Sequence, residues 1–154
     1  MNAIPSPLAP LSCLVVDDQP LSRDLLTACL KALGVMQISS ASNGSEAFSI
    51  LASATRPLDI ILSDIQMPHG NGLQLLQAIR TGQIKKMRLD STVVLTTATP
   101  TPETIKAASS LDANGYFVKA AMPEKLQAVL IKARRIVFPA SPERYAQVAV
   151  PNEI

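Results

Sequence analysis

Five polar side chains stand where short apolar runs of the sequence end. Asp17 and Asp18 follow the run LVV, Asp64 follows DIILS, Thr97 closes TVVLTT, and Lys119 follows GYFV. Three carboxylates in one place repel one another unless a cation joins them, and hard oxygen ligands suit Mg²⁺, which keeps waters and bridges to phosphate. A hydroxyl and an ammonium group can position and neutralise a phosphoryl group. Brought together, these side chains would suit magnesium-assisted phosphoryl transfer.

The elements that would position these side chains alternate along the chain. Short apolar runs bounded by turn residues predict strands at residues 12–16, 58–64, 92–97 and 116–119, and a further strand is predicted at residues 36–41. Each is followed by apolar residues at helical spacing, which predicts five helices. Alternating strands and helices favour a parallel sheet covered on both faces. In such a sheet the strand-to-helix connections share one edge, where ligands bind.

The first and last helices carry the clearest predicted faces. Both begin with a proline in the first turn, Pro20 and Pro123, and the first ends at Gly34. The predicted inner face of the first helix consists of Leu21, Leu25, Leu26, Cys29, Leu30 and Leu33. The predicted inner face of the last helix consists of Leu126, Val129, Leu130, Ala133 and Val137.

Composition excludes several classes of protein. A chain of 154 residues with 47% hydrophobic residues can build the core of one domain, and 3% aromatic residues argue against stacking of single-stranded nucleic acid. The formal charge of +2 implies neither a nucleic-acid nor a membrane partner. Cys13 and Cys29 lack metal-ligand spacing and suit a reducing compartment. With no signal peptide and no apolar run of membrane-spanning length, we expect a cytoplasmic protein.

The motifs around the five polar side chains resemble a known family. LVVDD, SDIQMPHGNG, VVLTTA and GYFVK together resemble the receiver domain of response regulators in two-component signalling, including the chemotaxis receivers. The resemblance covers residues 12–137 and implies an α/β, flavodoxin-like, doubly wound parallel sheet of order 2-1-3-4-5 with five helices. Residues 1–11 are expected to be a flexible extension. Residues 138–154, which contain prolines and no clear period, are expected to be a tail or the start of a linker.

The resemblance also implies roles for the residues at the site. Asp64 corresponds to the phosphoacceptor, which takes a phosphoryl group from a histidine kinase or a histidine phosphotransfer protein. Asp18 corresponds to a direct ligand of Mg²⁺, with Mn²⁺ as an alternative ion, and Asp17 to a ligand through water. Asp64 and the backbone carbonyl of Gln66 would complete the protein ligands. Such a domain is a phosphoacceptor with self-phosphorylation and dephosphorylation chemistry only, and not an enzyme.

The signalling part of the resemblance involves two further positions. Thr97 and Lys119 correspond to the residues that contact the phosphoryl group. Thr97 and Tyr116 correspond to the switch pair, through which phosphorylation would alter the face formed by helix 4, strand 5 and helix 5. A downstream protein would bind this face. Tyr116 could instead be a surface aromatic residue on an edge strand.

The loop after the last strand departs from the family pattern. Ala120 follows Lys119, where the family usually has proline, and Met122 offers no polar cap to the next helix. A cis peptide bond costs about 0.5–1 kcal/mol before proline but about 2.5–4 kcal/mol before alanine. The sequence is compatible with both the cis and the trans form of the Lys119–Ala120 bond. We favour cis because Lys119 keeps the family spacing from Thr97.

Three other functions were weighed against the same residues. An aspartyl-phosphate phosphohydrolase needs an Asp-x-Asp pattern after the first strand, and Asp17-Asp18-Gln19 does not supply it. A flavin carrier needs a loop rich in Ser, Thr or Gly there, whereas DDQP is acidic and would repel a phosphate. The remaining alternative is a receiver-like interaction module that is never phosphorylated. The complete set of site residues argues against it.

Overall fold

Five short strands pair in parallel to form one sheet. The computed structural model describes residues 6–119, 122–139 and 141–151. The strands are β1 (Ser12–Val16), β2 (Gln37–Ala41), β3 (Ile60–Asp64), β4 (Thr92–Thr97) and β5 (Gly115–Val118). The helices of the described residues are α1 (Pro20–Ala32), α2 (Gly44–Ser53), α3 (Gly72–Arg80), α4 (Pro102–Ser110), α5 (Pro123–Arg134) and α6 (Pro142–Ala146). The order β2-β1-β3-β4-β5 confirms the predicted fold, with the short α6 added.

The sheet separates two apolar clusters. Alternate residues of each strand point to opposite faces, so Leu14 and Ile61 contribute to one cluster and Cys13 and Leu62 to the other. The first cluster lies under α2, α3 and α4, and the second lies under α1 and α5. Because both faces are covered, every residue of β3 and β4 is buried. This explains their continuous apolar runs.

The predicted inner faces of α1 and α5 are wrong at their ends. Leu21 and Leu25 of α1 are 83% and 50% exposed. The buried positions are Leu26, Cys29 and Leu30, which lie on a stripe rotated by one residue from Leu21 and Leu25. Val137 is 81% exposed because α5 ends at Arg134, before a further turn could place Val137 on the inner face.

Two described segments near the termini pack more closely than the sequence predicts. Leu8, within the extension expected to be flexible, is 1% exposed and joins the cluster under α1 and α5. Residues 141–151, expected to be part of a tail or of a linker, pack against the domain, and we call them the C-terminal strap. Its Tyr145 is 1% exposed in the cluster under α3 and α4. One aromatic ring anchors a segment that has no helical or strand period, so periodicity could not reveal it.

A buried arginine organises the end of α3. Arg80 is 0% exposed, and its guanidinium lies 5.9 Å from the centre of the Phe138 ring. It donates hydrogen bonds of 2.7–3.1 Å to five acceptors, the carbonyl oxygens of Leu89, Ser91, Leu111 and Asp112 and the Oδ1 of Asn114. Two of these acceptors lie in the connector between α3 and β4, and the other three lie in the connector between α4 and β5. Arg80 therefore fixes the sheet edge at the amino ends of the strands, which we call the far edge.

Two observations complete the fold. Ala120 lies outside the described residues, and with it the predicted geometry of the Lys119–Ala120 bond. Within the described parts of the chain, no helix combines the length and apolar character needed to cross a lipid bilayer.

Candidate functional site

Asp64 ends β3 at the carboxyl edge of the sheet, which we call the site edge, and is 4% exposed. The chain then folds back over the strand end. The N–H of Ile65 donates to the carbonyl of Thr96 at 3.0 Å, and the N–H of Gly72 donates to the carbonyl of Ile65 at 3.1 Å. A Cβ atom at Gly72 would overlap the carbonyl oxygen of Asp64. The glycine in the sequence motif is therefore required for this close approach.

Lys119 brings two of the predicted carboxylates together. It follows β5, and its N–H donates to the carbonyl of Thr97 at 2.9 Å. Its Nζ lies 2.9 Å from Asp17 Oδ2 and 3.0 Å from Asp64 Oδ2. Burial lowers the pKa of Lys119, but its interactions with the two carboxylates outweigh burial and raise the pKa above its ordinary value. The side chain is therefore an ammonium ion at neutral pH.

Burial has the opposite effect on the neighbouring acid. The pKa of Asp64 is raised above its ordinary value, chiefly by burial, although Lys119 acts to lower it. The nearby carboxylate of Asp17 adds to the rise. A second cation beside Asp64 would favour its charged form and relieve this unfavourable balance.

The acidic residues form a cluster that fits a small cation. Asp17 is buried and Asp18 half-buried, and together with Asp64 they offer oxygen atoms that all lie within 4.8 Å of one another. Oδ1 of Asp17 accepts the N–H of Gln19 at 3.0 Å. Within the described residues, Asp17 Oδ2 has its ion pair with Lys119 but no hydrogen bond of good geometry. Hard, closely spaced oxygen atoms of this kind suit Mg²⁺.

Thr97 lies at the end of β4 beside this cluster. It is 1% exposed, and its Oγ1 accepts the N–H of Thr99 at 3.2 Å. The hydroxyl of Thr99 in turn donates to Gln66 Oε1 at 3.3 Å. These contacts join the loop after β4 to the loop after β3. The backbone carbonyl of Gln66 as a metal ligand stays a prediction.

Tyr116 of β5 is half-buried and packs against the cluster under α4. Its hydroxyl lies 3.4 Å from Thr104 Oγ1, at the start of α4. The side chain therefore connects β5 to α4. The role of Tyr116 as a switch stays a prediction.

The start of α2 holds the loop after β3, a contact that the sequence analysis missed. The N–H of Gly44 donates to the carbonyl of Gly70 at 2.9 Å, and the N–H of Ser45 donates to the carbonyl of His69 at 3.2 Å. A Cβ atom at Gly44 would lie 2.6 Å from the Gly70 oxygen. The Asn43-Gly44 pair was the available signal, but a turn motif does not specify a partner 26 residues away.

The arrangement matches known proteins over most of the chain. The family model for the response regulator receiver domain matches residues 13–131. A probable chemotaxis protein CheY from Rhizobium etli is 33% identical over 120 residues, covering 78% of this chain and 89% of that protein. The sensory/regulatory protein RpfC from Xanthomonas campestris is 32% identical over 132 residues, but the match covers only 18% of its length.

A solved structure agrees with the sequence comparisons. The chemotaxis protein CheY4 of Vibrio cholerae superimposes with a TM-score of 0.69 at 27% sequence identity. The alignment covers 80% of this chain and 98% of that one. The described residues outside the matched family region include the C-terminal strap.

Proposed function

This chain belongs to the response regulator receiver family of two-component systems, and we propose that Asp64 is its phosphoacceptor. The observation that carries the proposal is the ammonium of Lys119 between Asp17 and Asp64 at the site edge. A cation there can neutralise charge on the nucleophile and on an incoming phosphoryl group. The donor we infer is the phosphohistidine of a histidine kinase or of a histidine phosphotransfer protein.

The chemical step transfers one phosphoryl group to a carboxylate. An Oδ atom of Asp64 attacks phosphorus, the new O–P bond forms, and the P–N bond to the partner's imidazole breaks with its electron pair returning to nitrogen. Lys119 and Thr97 stabilise the phosphoryl oxygens by charge and hydrogen bonding. Asp17, Asp18, Asp64 and the carbonyl of Gln66 would hold Mg²⁺, which when bound supplies further charge neutralisation.

The output of the domain is a protein contact. Phosphorylation adds about −1.5 to −2 charges, as for other phosphorylated side chains, next to Thr97. Displacement of Thr97 and Tyr116 would then change the face formed by α4, β5 and α5, where a downstream protein binds. The contact between Tyr116 and Thr104 supports this route, because it joins β5 to α4. The domain acts as a phosphoacceptor with its own slow chemistry, and not as an enzyme on a separate substrate.

The proposal is tested by intact-mass measurement after treatment with acetyl phosphate and Mg²⁺. We expect the native protein to gain one phosphoryl group and Asp64→Asn to gain none. Asp24→Asn, the same change at an exposed carboxylate of α1, is the matched control and should behave as the native protein. Phosphate on the Asp64→Asn variant would refute the assignment. A native protein that gains none would favour the alternative, a receiver-like interaction module.

A further inference from the structure

We propose that the C-terminal strap opposes phosphorylation of Asp64. It docks on the unphosphorylated domain, and its last residues detach when Asp64 is phosphorylated; we call this role an intramolecular brake. This inference rests on the proposed function of Asp64. The strap lies across α3 and α4, and its two ends meet opposite edges of the sheet. It therefore connects the far edge to the site edge along one path.

The strap is held firmly at the far edge. Tyr145 is buried, and its hydroxyl donates to Asp112 Oδ2 at 2.6 Å. Arg144 pairs with the same carboxylate oxygen at 2.7 Å. Asp112 lies in the connector between α4 and β5, the region that Arg80 also clamps. This end of the strap combines apolar burial with charge-assisted hydrogen bonds and is the fixed anchor.

The strap then runs back along α3 toward the site edge. Nε2 of Gln77 donates to the carbonyl oxygens of Tyr145 and Val148 at 3.0 and 2.9 Å. Nδ2 of Asn71 donates to the carbonyl oxygen of Pro151 at 2.7 Å. Because α3 begins at Gly72 and proceeds away from the site, the strap lies antiparallel to it. Pro151 therefore reaches the loop that follows Asp64.

Packing becomes looser along the strap. Val148 and Val150 are half-buried and Ala149 is exposed, whereas Tyr145 is fully buried. An open cavity separates this part of the strap from α4, and it is lined by Glu103, Lys106, Ala107, Ser110, Val148, Ala149 and Pro151. Segments with few buried contacts open at the lowest free energy. The last residues of the strap should therefore detach first when Asp64 is phosphorylated.

Both helices that the strap crosses, α3 and α4, connect to the phosphoryl site. On the α3 side, Asn71 caps the helix through Gln74 and precedes Gly72, whose N–H is bound to the residue after Asp64. On the α4 side, the hydroxyl of Thr97 accepts the N–H of Thr99, two residues before the α4 cap. A phosphoryl group that draws Thr97 toward Asp64 strains this bond and the start of α4. Docking of the strap and phosphorylation therefore oppose each other.

Hydrogen exchange measured by mass spectrometry tests the release directly. In the native protein, acetyl phosphate and Mg²⁺ should speed exchange of the amides at 147–150 and leave Tyr145 unchanged. In Asp64→Asn, the same treatment should change neither. Intact mass, recorded in parallel, separates the two hypotheses. A phosphorylated protein with unchanged exchange at 147–150 overturns the brake alone, whereas a protein that stays unphosphorylated overturns the proposed function and the brake with it.

Linkage supplies a second test, since coupling between two sites is reciprocal. Gln77→Ala removes the two hydrogen bonds that Gln77 donates to strap carbonyl groups and leaves the side chain of Tyr145 and the residues of the site unchanged. Beryllium fluoride is a non-covalent mimic of the phosphoryl group. Titration calorimetry with beryllium fluoride in the presence of Mg²⁺ should show that this variant binds the mimic at least roughly fivefold more tightly than the native protein does. Gln83→Ala, the same change at an exposed glutamine after α3, is the control and should bind as the native protein. Equal affinity in the native protein and Gln77→Ala would overturn the brake.

Discussion

The hydroxyl of Tyr145 donates a 2.6 Å hydrogen bond to Asp112, which lies 33 residues earlier in the chain. Burial and the neighbouring Asp112 carboxylate both raise the pKa of Tyr145, so the phenol stays protonated and continues to donate. The ring fills the cluster under α3 and α4. One side chain thus contributes both apolar burial and a directed polar contact to the C-terminal strap.

Tyr145→Ala should therefore destabilise the domain strongly. Removal of a buried aromatic ring costs about 3–5 kcal/mol, since a cavity is left behind. Tyr145→Phe keeps the ring and loses only the hydrogen bond, so we expect a cost of about 1–3 kcal/mol. Urea denaturation gives both free energies of unfolding. A Tyr145→Ala variant as stable as the native protein would show that the ring does not pack in solution.

Arg80→Met should also destabilise the domain, by about 3 kcal/mol or more. Methionine fills similar space but leaves four buried or half-buried backbone carbonyl groups without the Arg80 donor, while Asn114 Oδ1 keeps the N–H of Val93. Arg135→Met, at an exposed arginine after α5, is the matched control and should cost little. Urea denaturation measures both variants, and a similar small loss for the two would contradict the clamp at the far edge.

Gly72→Ala should impair both the fold and phosphorylation. The added Cβ would overlap the carbonyl oxygen of Asp64, so the strand end or the loop must move, at a cost of about 1–3 kcal/mol. Gly115→Ala is the control, because its Cβ would meet Val94 at an ordinary 3.4 Å. Phosphorylation by acetyl phosphate, followed by intact mass, should fall only for Gly72→Ala. Normal phosphorylation of that variant would contradict the close approach.

Metal affinity should depend more on Asp18 than on Asp17. The two ion pairs of Lys119 engage Asp17 and Asp64, so part of the charge of Asp17 is already neutralised. Asp18→Ala should therefore weaken Mg²⁺ binding more than Asp17→Ala, and both should reduce phosphorylation. Calorimetric titration with Mg²⁺ measures the affinities. Unchanged affinity in Asp18→Ala would remove this residue from the predicted metal ligands.

Alkaline pH should destabilise the protein through Cys13. Burial raises the pKa of this thiol from 9.0 to about 11, so the folded state holds its proton more tightly than the unfolded state. The resulting stabilisation is complete below pH 9 and is lost as the pH rises to about 11. Two pKa units correspond to roughly 3 kcal/mol. Cys13→Val should show a smaller fall in unfolding free energy over this range, and an identical fall would contradict the assignment.

The sequence predicted those features that have a local signature. Asp64 and Lys119 follow apolar runs that form strands β3 and β5, so parallel topology brings their side chains to one edge. Arg80 was missed because a charged residue at the end of a helix suggests solvent exposure. Four of its five acceptors are backbone carbonyl groups, which every residue has, so the residue type does not identify them.

The errors in α1 and in the C-terminal strap have a related cause. Leu21 and Leu25 have the correct spacing for an inner face, but spacing does not specify which stripe of α1 meets the sheet. The C-terminal strap has prolines and only a five-residue helix, so its docking depends on Tyr145 and on side chains of α3. Contacts of this kind join residues far apart in sequence, and no periodic pattern encodes them.

The path of the strap also determines where a reporter group attached to this part of the polypeptide would lie. Helix α5 ends at Arg134, and without the strap a fused reporter would emerge at the far edge. The strap instead returns the backbone to Asn71, beside the loop after Asp64. A fluorophore attached at residue 151 should therefore sense events at the phosphoacceptor, whereas one attached at Val137 would lie at the far edge.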